Sequence, residues 1–562
     1  MLGVVEGTKF HRVQEHASHC LVPSKEDIDR KLMMNGKAAH IDAPAEAVQS
    51  QSEDPALAAG PKDAAAARQT ATASTSQPQN GESAADPEPP NGVPVFVMLP
   101  LDTVTSDGAF RYTASKWFTS ALAGLKASGV HGMAIDVWWG AVERQPGRYD
   151  WSGYRQVIEL IKSLGLKVQA VMSFHACGGN VGDSAQVPLP KWVLKAGDQD
   201  PDIFFTDRPR EAKLGSRNKE YVSIFADEAP RVLCGRSPVE CYGDFMHAFR
   251  EAFFDDVGST IEEIVVGTGA CGELRYPSYV EANGWRFPGI GEFQCYDRRA
   301  LASLASAAHE AGHPEWGYTG PHDAGTYTST PEETGFFRGM GGSWDTPYGA
   351  FFLAWYSGAL LAHGERLVKV ATSVAPERPA GLPVEVSLKI AGIHWWYRTR
   401  SHAAELTAGY YNTANRDGYN ALVEICAEHG AALTLTCVEM CDAQHPPVAL
   451  CGPEGLLRQV REAAAAAGVS LGGENALPCF SPGHVDALPM MRSFTFLRLT
   501  PEMLKPSYQA TWTRFMHRMR NNRARGPSPT ARTSTGLQPI TRKCAPGTEI
   551  FMCMSLMAVL HS

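Results

Sequence analysis

The sequence predicts an α/β fold, a (β/α)8 TIM barrel with long loop insertions and a disordered tail at each end. Three observations indicate this fold: eight short apolar runs, amphipathic helical segments between several of them, and two polar chain termini with few aromatic residues. Apolar strands that alternate with helices indicate a parallel sheet covered on its outer face. Eight such units indicate a closed barrel, whose active site lies at the C-terminal ends of the strands.

The eight runs are rich in β-branched and apolar residues and span the middle of the chain. They lie at 95–101, 132–140, 167–175, 262–273, 384–396, 431–440, 469–477 and 493–499. Segments with helical periodicity, such as "SKWFTSALAGLKASG" and "SGYRQVIELIKSLG", separate several of them. We therefore predict one barrel domain over residues 94–520.

The two ends of the chain have a different composition. Residues 1–93 are rich in Ala, Ser, Gln, Pro and acidic residues, and they bury too little apolar surface to offset chain entropy. This predicts a disordered leader, and residues 521–562, basic at first and without periodicity, predict a disordered C-terminal tail. Plastid transit peptides are usually poor in acids, whereas Glu6, Glu15 and Glu26 occur early. A plastid and a cytoplasmic location both stay open, and secretion is not predicted.

Composition excludes several classes of function. The net charge is -9 with a pI near 6.1, and no stretch groups Lys and Arg with aromatics as a nucleic-acid surface would. No window reaches the roughly 18 consecutive apolar residues of a membrane span. The 13 cysteines form neither a disulfide framework nor paired zinc ligands. We predict no nucleic-acid or membrane partner and no metal, and the sequence does not indicate an oligomeric state.

Charged, polar and aromatic residues occur at the predicted strand ends. In chain order they are Asp136, Trp138 and Trp139, then His175, Glu273, then Lys389, His394, Trp395 and Trp396, then Thr436 and Glu439, then Glu474 and Asn475, and finally Arg498. Aromatic faces stack on the C–H surfaces of sugar rings, and carboxylates bind hydroxyls or transfer protons. This set predicts a sugar site.

Two of these acids, Glu273 and Glu474, are candidates for hydrolysis of a glycosidic bond. The reaction usually needs one carboxylic acid to protonate the leaving oxygen and one carboxylate to activate water or attack the sugar. A closed barrel places the two strand ends across one mouth, where inverting enzymes need about 6.5 to 9.5 Å between carboxyls. The alternative is that one or both are capping or salt-bridged glutamates.

The other candidates have structural alternatives as well. The four tryptophans could pack at the barrel rim, since tryptophan is mostly buried on average. His175 and Cys177 could form half of a metal site. Lys389 and Arg498 could be ordinary surface charges.

Several motifs carry a family resemblance. The segments "DVWWGAVE", "SFHACGGNVGD", "GTGACGELRYPSYV", "KIAGIHWWY", "TCVEM" and "GGENALP" occur in the order, and nearly the wording, of the β-amylases, the family 14 glycoside hydrolases. The resemblance extends over residues 94–499. It implies an inverting exo-hydrolase that releases β-maltose from the non-reducing ends of α-1,4-glucans such as starch, with no cofactor.

The resemblance also assigns roles to residues. It implies that Glu273 is the general acid and Glu474 the general base. Sugar-binding positions of the family match Asp136, His175, Asp183, Lys389, His394, Thr436, Asn475, Ala476 and Arg498. Without the resemblance, Asp183 would be a plain turn residue. The segment 178–183, "GGNVGD", resembles the family's mobile lid, and its adjacent glycines suit a loop that closes over substrate.

The chain departs from the family between Glu474 and Arg498, where only the 23 residues 475–497 occur. Pro478, Pro482 and Pro489 leave about six residues for a helix, below the dozen or so that a parallel crossover needs. We therefore predict a shortened last βα unit that exposes apolar faces of the seventh and eighth barrel strands. A catalytically impaired starch- or maltose-binding protein remains an alternative function, and so does a retaining endo-acting glucanase on the same barrel.

Overall fold

A computed structural model describes residues 92–180, 183–210, 215–375, 384–476 and 491–521. Its strands are β1 (Val95–Met98), β2 (Gly132–Trp138), β3 (Lys167–Ser173), β4 (Phe204–Thr206), β5 (Arg217–Val222), β6 (Ile261–Val266), β7 (Glu385–Ile390), β8 (Ala432–Leu435), β9 (Leu471–Glu474) and β10 (Phe494–Phe496). Its helices are α1 (Lys116–Ala127), α2 (Trp139–Val142), α3 (Ser152–Ser163), α4 (Lys191–Gln199), α5 (Pro238–Ala252), α6 (Arg298–Glu310), α7 (Pro347–Val374), α8 (Ala403–Ala408), α9 (Asn420–His429), α10 (Pro453–Ala467) and α11 (Pro506–Asn521).

Eight strands form a closed parallel barrel in the order β1, β10, β9, β8, β7, β6, β3, β2. The barrel closes where β1 pairs with β10, with Val95 opposite Phe494. Each of the eight predicted apolar runs overlaps one barrel strand, so the predicted fold class is confirmed. Strands β4 and β5 form a separate antiparallel pair that was not predicted. Their segments, "FFT" and "RNKEYV", are too short or too polar to stand out in the sequence.

Side chains fill the inside of the barrel. Phe96, Met98, Ala134, Val171 and Val265 form a small apolar cluster that is separate from the larger core around it. Polar pairs accompany that cluster: the Thr495 hydroxyl donates to Gln169 Oε1 at 2.8 Å, and the Ser387 hydroxyl donates to Glu263 Oε1 at 2.7 Å. The barrel is therefore a packed core, and its open space lies at one end.

Local sequence accounts for where the outer helices begin. Helix α5 follows a capping box, in which the Ser237 hydroxyl accepts from the Glu240 N–H at 3.2 Å and Glu240 Oε2 accepts from the Ser237 N–H at 2.7 Å. Pro238 occupies the first helical position, where a missing N–H costs nothing. Helix α6 begins with a simpler cap, in which the Asp297 carboxylate accepts from the Ala300 N–H at 2.9 Å.

The eighth barrel strand is covered on its outer face. Phe494 and Phe496 of β10 are buried and pack on α11, with ring centroids 5.6 Å from Phe515 and 5.1 Å from Trp512 respectively. The expectation of an exposed apolar face on this strand was therefore wrong. The physical reason is that α11, which follows β10 in the chain, packs on this face.

The seventh barrel strand, β9, has little apolar side chain to expose. The side chains of Met491 and Val438 cover Gly473, since a Cβ placed on this glycine would lie 3.0 Å from Met491 and 3.1 Å from Val438. Only Leu471 of β9 adds a partly buried apolar side chain to the outer core. Residues 477–490 lie outside the described residues, so the predicted loss of a helix in that connection stays a prediction.

The predicted domain boundaries also stay predictions, because the leader up to residue 91 and the tail from residue 522 lie outside the described residues. The first and last described segments meet where the Val93 N–H donates to the Met519 carbonyl at 2.9 Å.

None of the helices in the described ranges combines the length and the hydrophobicity that a membrane span requires.

Candidate active site

A cavity of about 740 Å³ lies at the C-terminal ends of the barrel strands. Ten of the eleven predicted site residues form its wall: Asp136, His175, Asp183, Glu273, Lys389, Thr436, Glu474, Asn475, Ala476 and Arg498. They come from strands on every side of the barrel, so closure brings together residues that are far apart in sequence. Both predicted catalytic glutamates therefore face one space.

Glu273 follows a tight turn after β6. The turn, Ala270–Gly272, holds Cys271 at φ 56° and Gly272 at φ 74°, a left-handed backbone that glycine adopts at low cost. Glu273 Oε1 accepts a hydrogen bond from the Thr436 hydroxyl at 2.8 Å, and Oε2 accepts from Arg275 Nε at 2.8 Å. The carboxyl group is thus held from two sides. Arg275 was not among the predicted residues, although it lies two positions after Glu273 in the same motif.

Glu474 is the last residue of β9 and is buried, with 5 % of its surface exposed. Its Oε1 accepts a hydrogen bond from Lys389 Nζ at 3.1 Å. Burial raises the pKa of Glu474, and the Lys389 ammonium opposes this rise only in part. Burial on its own would lower the pKa of Lys389, but the carboxylates of Glu474, Glu273 and Asp136 outweigh it and raise that pKa. Lys389 is therefore a buried cation in the cavity and not a surface charge.

Arg498 and Asp136 form an ion pair across the end of β1, the strand that lies between β10 and β2. Arg498 Nη1 lies 3.3 Å from Asp136 Oδ2 and also donates to the Leu99 carbonyl at 2.7 Å. Asp136 Oδ1 accepts from the Ser173 hydroxyl at 3.3 Å. These bonds hold a carboxylate and a guanidinium on the cavity wall, where both types of group bind sugar hydroxyls well.

Asn475 ties the ends of two strands together. Its Nδ2 donates to the Leu497 carbonyl at 2.9 Å, and its Oδ1 accepts from the Leu497 N–H at 2.9 Å. The next N–H, that of Ala476, donates to Glu439 Oε1 at 2.9 Å. The side-chain amide of Asn475 thus fixes the rim of the cavity beside Glu474.

His175 lies against Trp138 with ring centroids 5.1 Å apart in an edge-to-face arrangement. Burial lowers the pKa of His175 to about 4, so its ring is neutral near pH 7. Its buried Nδ1 has no hydrogen-bond partner within the part of the chain that the structure describes. A sugar hydroxyl in the cavity would satisfy this nitrogen.

Asp183 organises the predicted lid, of which residues 181 and 182 lie outside the described residues. Its Oδ2 accepts from the N–H groups of Gly178, Gly179 and Asn180 at 2.7, 3.0 and 3.0 Å. Three converging N–H groups stabilise one carboxylate oxygen, because each bond involves an ionised acceptor. Asp183 is therefore much more than a plain turn residue.

Glu220, which sequence reasoning missed, links this segment to the turn before Glu273. Glu220 Oε1 accepts from Asn180 Nδ2 at 2.8 Å and from the Cys271 N–H at 2.9 Å. Burial raises the pKa of Glu220, while Arg275 and these two bonds lower it. The residue belongs to β5, one of the two strands that were not predicted, so no signal in the sequence places it here.

The remaining predicted residue, His394, lies outside the wall of this cavity. It borders a separate void of about 10 Å³ behind Thr436 and Cys437. Of the four strand-end tryptophans, Trp138 borders the large cavity, whereas Trp139, Trp395 and Trp396 belong to the buried core around the barrel. The packing alternative therefore holds for those three.

The cavity wall also contains residues that the sequence analysis did not select. Asp102, Arg111, Tyr112 and Trp117 lie on the segment that follows β1. Tyr112 and Trp117 were an available signal of a sugar-binding surface, because aromatic rings stack on sugars.

Comparisons with known proteins show which family the chain belongs to. The family model described as Glycosyl hydrolase family 14 matches residues 96–521. "Beta-amylase 2, chloroplastic" of Oryza sativa subsp. japonica is 50% identical over 484 residues, 84% of this chain and 85% of the relative. "Beta-amylase 1, chloroplastic" of the same organism is 53% identical over 441 residues, 76% of this chain and 81% of the relative.

A solved structure is similar as well. The crystal structure of the catalytic domain of beta-amylase from Paenibacillus polymyxa aligns with a TM-score of 0.61 at 29% identity, covering 76% of this chain and 99% of that domain. The family match covers most of the chain, including every barrel strand except the first residue of β1. The chain belongs to glycosyl hydrolase family 14, the family of the β-amylases.

Proposed function

We propose that this family 14 chain releases β-maltose from the non-reducing ends of α-1,4-glucans by inversion, with Glu273 as the general acid and Glu474 as the general base. The observation that carries the proposal is the meeting of two glutamates in one deep cavity, each with a different partner. Glu273 is held by a hydroxyl and a guanidinium, and Glu474 by an ammonium. Two carboxyl groups in distinct surroundings suit two distinct roles.

In the proposed reaction the protonated Glu273 gives its proton to the glycosidic oxygen as the bond from that oxygen to the anomeric carbon breaks. Glu474 takes a proton from a water molecule, whose oxygen attacks the anomeric carbon from the opposite face. The α-linkage thus yields a β-anomer. Burial of Glu474 strengthens it as a base, because a raised pKa brings the carboxylate closer to the working pH.

The catalytically impaired alternative rested on the shortened 478–492 segment. The described parts of β9 and β10 still pair, with Thr495 opposite Glu474, and both Glu474 and Arg498 lie on the cavity wall. No observation therefore favours loss of turnover.

The first experiment is proton NMR of purified protein with soluble starch, following the anomer of the maltose released at early times. We expect β-maltose first, followed by slow mutarotation. Initial α-maltose would indicate a retaining enzyme, and a fall in glucan length without maltose would indicate internal cleavage. Maltose binding without product would support the impaired alternative.

The pH dependence tests the surroundings of Glu474. A base acts only when ionised, so kcat/KM falls as the pH drops through the pKa of Glu474. Burial raises this pKa above the ordinary value of 4.5. The acidic limb of the pH profile, where kcat/KM falls, should therefore lie at higher pH than it would with an exposed glutamate as the base. Lys389→Met removes the cation that opposes the rise, so the limb should move to still higher pH. Lys191→Met, at an exposed lysine, is the control, and an unmoved limb in Lys389→Met would contradict the assignment.

We propose that the chain acts in a plastid on starch. The proposal is supported by the two rice relatives and by "Beta-amylase 1, chloroplastic" of Arabidopsis thaliana, 51% identical over 450 residues. A fluorescent protein fused behind residues 1–93 should collect in plastids. Even fluorescence through the cytosol would contradict a plastid address in this segment.

A further inference from the structure

We propose that His394, His445 and Cys451 form a binding site for a divalent metal ion of the Zn²⁺ class, outside the catalytic cavity. One ring nitrogen of each histidine and the Cys451 sulfur lie within 4.8 Å of one another. Neutral imidazoles and a thiolate are ligands that Zn²⁺ prefers, and the Cys451 thiol releases its proton to solvent as its sulfur binds the ion. The proposed hydrolysis gives no role to His445 or Cys451.

The two imidazoles are prepared for a ligand. His394 Nδ1 lies 2.9 Å from the Gly392 carbonyl, which only accepts, so Nδ1 carries the hydrogen and Nε2 carries the lone pair. Metal-binding histidines commonly donate their other N–H to a carbonyl in this way. The Nε2 atoms of His394 and His445 are both buried and without a hydrogen-bond partner among the described residues. The two rings are neighbours, with centroids 4.5 Å apart, and unpaired buried nitrogens are costly unless something binds them.

The backbone holds the two loops that carry these residues together. The Trp396 N–H donates to the Ala449 carbonyl at 2.9 Å, and the Gly452 N–H donates to the His394 carbonyl at 2.9 Å. Cys451 is a free, buried cysteine next to this second bond. A tetrahedral Zn²⁺ ion separates its ligand atoms by about 3.5 Å, so atoms that lie within 4.8 Å of one another reach this spacing through small side-chain movements. His445 is only half-buried and can make that adjustment while also giving the ion a route from solvent.

A chain of hydrogen bonds connects this site to the proposed general acid. His394 donates to the Gly392 carbonyl, the Gly392 N–H donates to Thr436 Oγ1 at 3.0 Å, and the Thr436 hydroxyl donates to Glu273 Oε1. An ion on His394 also occupies a ring that the family resemblance assigns to sugar binding. We therefore expect Zn²⁺ to inhibit hydrolysis reversibly, a consequence that rests on the proposed function.

The test measures Zn²⁺ binding to the full-length protein by titration calorimetry without starch, then repeats it with His445→Gln and Cys451→Ser. Exposed His309→Gln and Cys234→Ser are the matched controls. We expect one Zn²⁺ site that weakens at least about tenfold in the first two variants and is unchanged in the controls. Co²⁺ in place of Zn²⁺ should give a thiolate charge-transfer band that Cys451→Ser removes.

Equal Zn²⁺ affinity in all five proteins, or a Co²⁺ band that survives in Cys451→Ser, would overturn the site. Circular dichroism identifies any variant that fails to fold, and half-buried His445→Gln is the safer of the two. Starch hydrolysis is then measured with Zn²⁺ and again after a chelator, where inhibition should occur in the unsubstituted protein and be reduced in His445→Gln. Binding without inhibition would overturn the coupling to Glu273 alone. Because Zn²⁺ binding is measured without starch, the calorimetric result stands even if the protein does not carry out the proposed hydrolysis.

Discussion

Glu273→Gln should remove nearly all hydrolysis of soluble starch while maltose binding stays within a few-fold. The amide keeps the shape of the carboxyl group and can still accept from Thr436 Oγ1, but it has no acidic proton for the leaving oxygen. General acid catalysis contributes about 10²- to 10⁴-fold, and we expect a loss of at least that size in kcat. The measurement is the initial rate of reducing-end release, with maltose affinity from calorimetry.

A substrate with a good leaving group separates lost acid catalysis from general damage. Fluoride leaves α-maltosyl fluoride without needing a proton from Glu273, while Glu474 still activates water. The Glu273→Gln variant should therefore hydrolyse the fluoride far better, relative to the unsubstituted protein, than it hydrolyses starch. Glu251→Gln, at an exposed glutamate on α5, is the matched control and should keep full activity. Equal losses on starch and on the fluoride would show that Glu273 is not the acid.

Glu474→Gln should abolish turnover to a similar extent for a different reason. The amide cannot take a proton from water, whereas Glu273 can still protonate the leaving oxygen. The Lys389 ammonium also loses its anionic partner at 3.1 Å, which leaves a buried cation less well compensated. We therefore expect a modest loss of stability as well, read as a lower midpoint of thermal unfolding.

An external nucleophile distinguishes the base from the acid. Azide is already an anion and needs no base, so it can attack the anomeric carbon of starch ends in Glu474→Gln and form β-maltosyl azide. The Glu273→Gln variant should gain nothing from azide, because its leaving oxygen still lacks a proton. Product analysis by NMR measures the β-maltosyl azide formed by each variant. Azide rescue of Glu273→Gln in place of Glu474→Gln would reverse the two roles.

The grouping of strand-end residues around one cavity was the part of the site that the sequence predicted well. Glu273, Lys389 and Glu474 each follow or end an apolar run, and a parallel barrel gathers all such ends at one face. Knowing only where the strands end was enough to group these residues. The same reasoning placed His394 with them, yet the structure sets its ring behind Thr436. His394 lies four residues after the end of β7, and no local pattern in the sequence predicts which space its ring faces.

The residues that hold the site together were not predictable in this way. Arg275 contacts Glu273, and Glu220 joins Asn180 to Cys271, through side chains whose positions depend on a folded loop and on an unpredicted strand. A lone charged residue in a polar segment looks the same in sequence whether it faces solvent or a buried partner. Its partner is set by contacts between segments that are distant along the chain.

The sequence by itself determined the eight barrel strands, because each depends on a local run of apolar residues that only a covered strand can bury. It also determined which acids reach the barrel mouth, because strand ends and barrel topology fix that edge. Only the tertiary structure decided the ammonium beside Glu474, the helix that covers β10, and the meeting of His394 with His445 and Cys451. Each of these joins separate segments, and the free energy of such contacts depends on closure of the whole barrel rather than on any one stretch of chain.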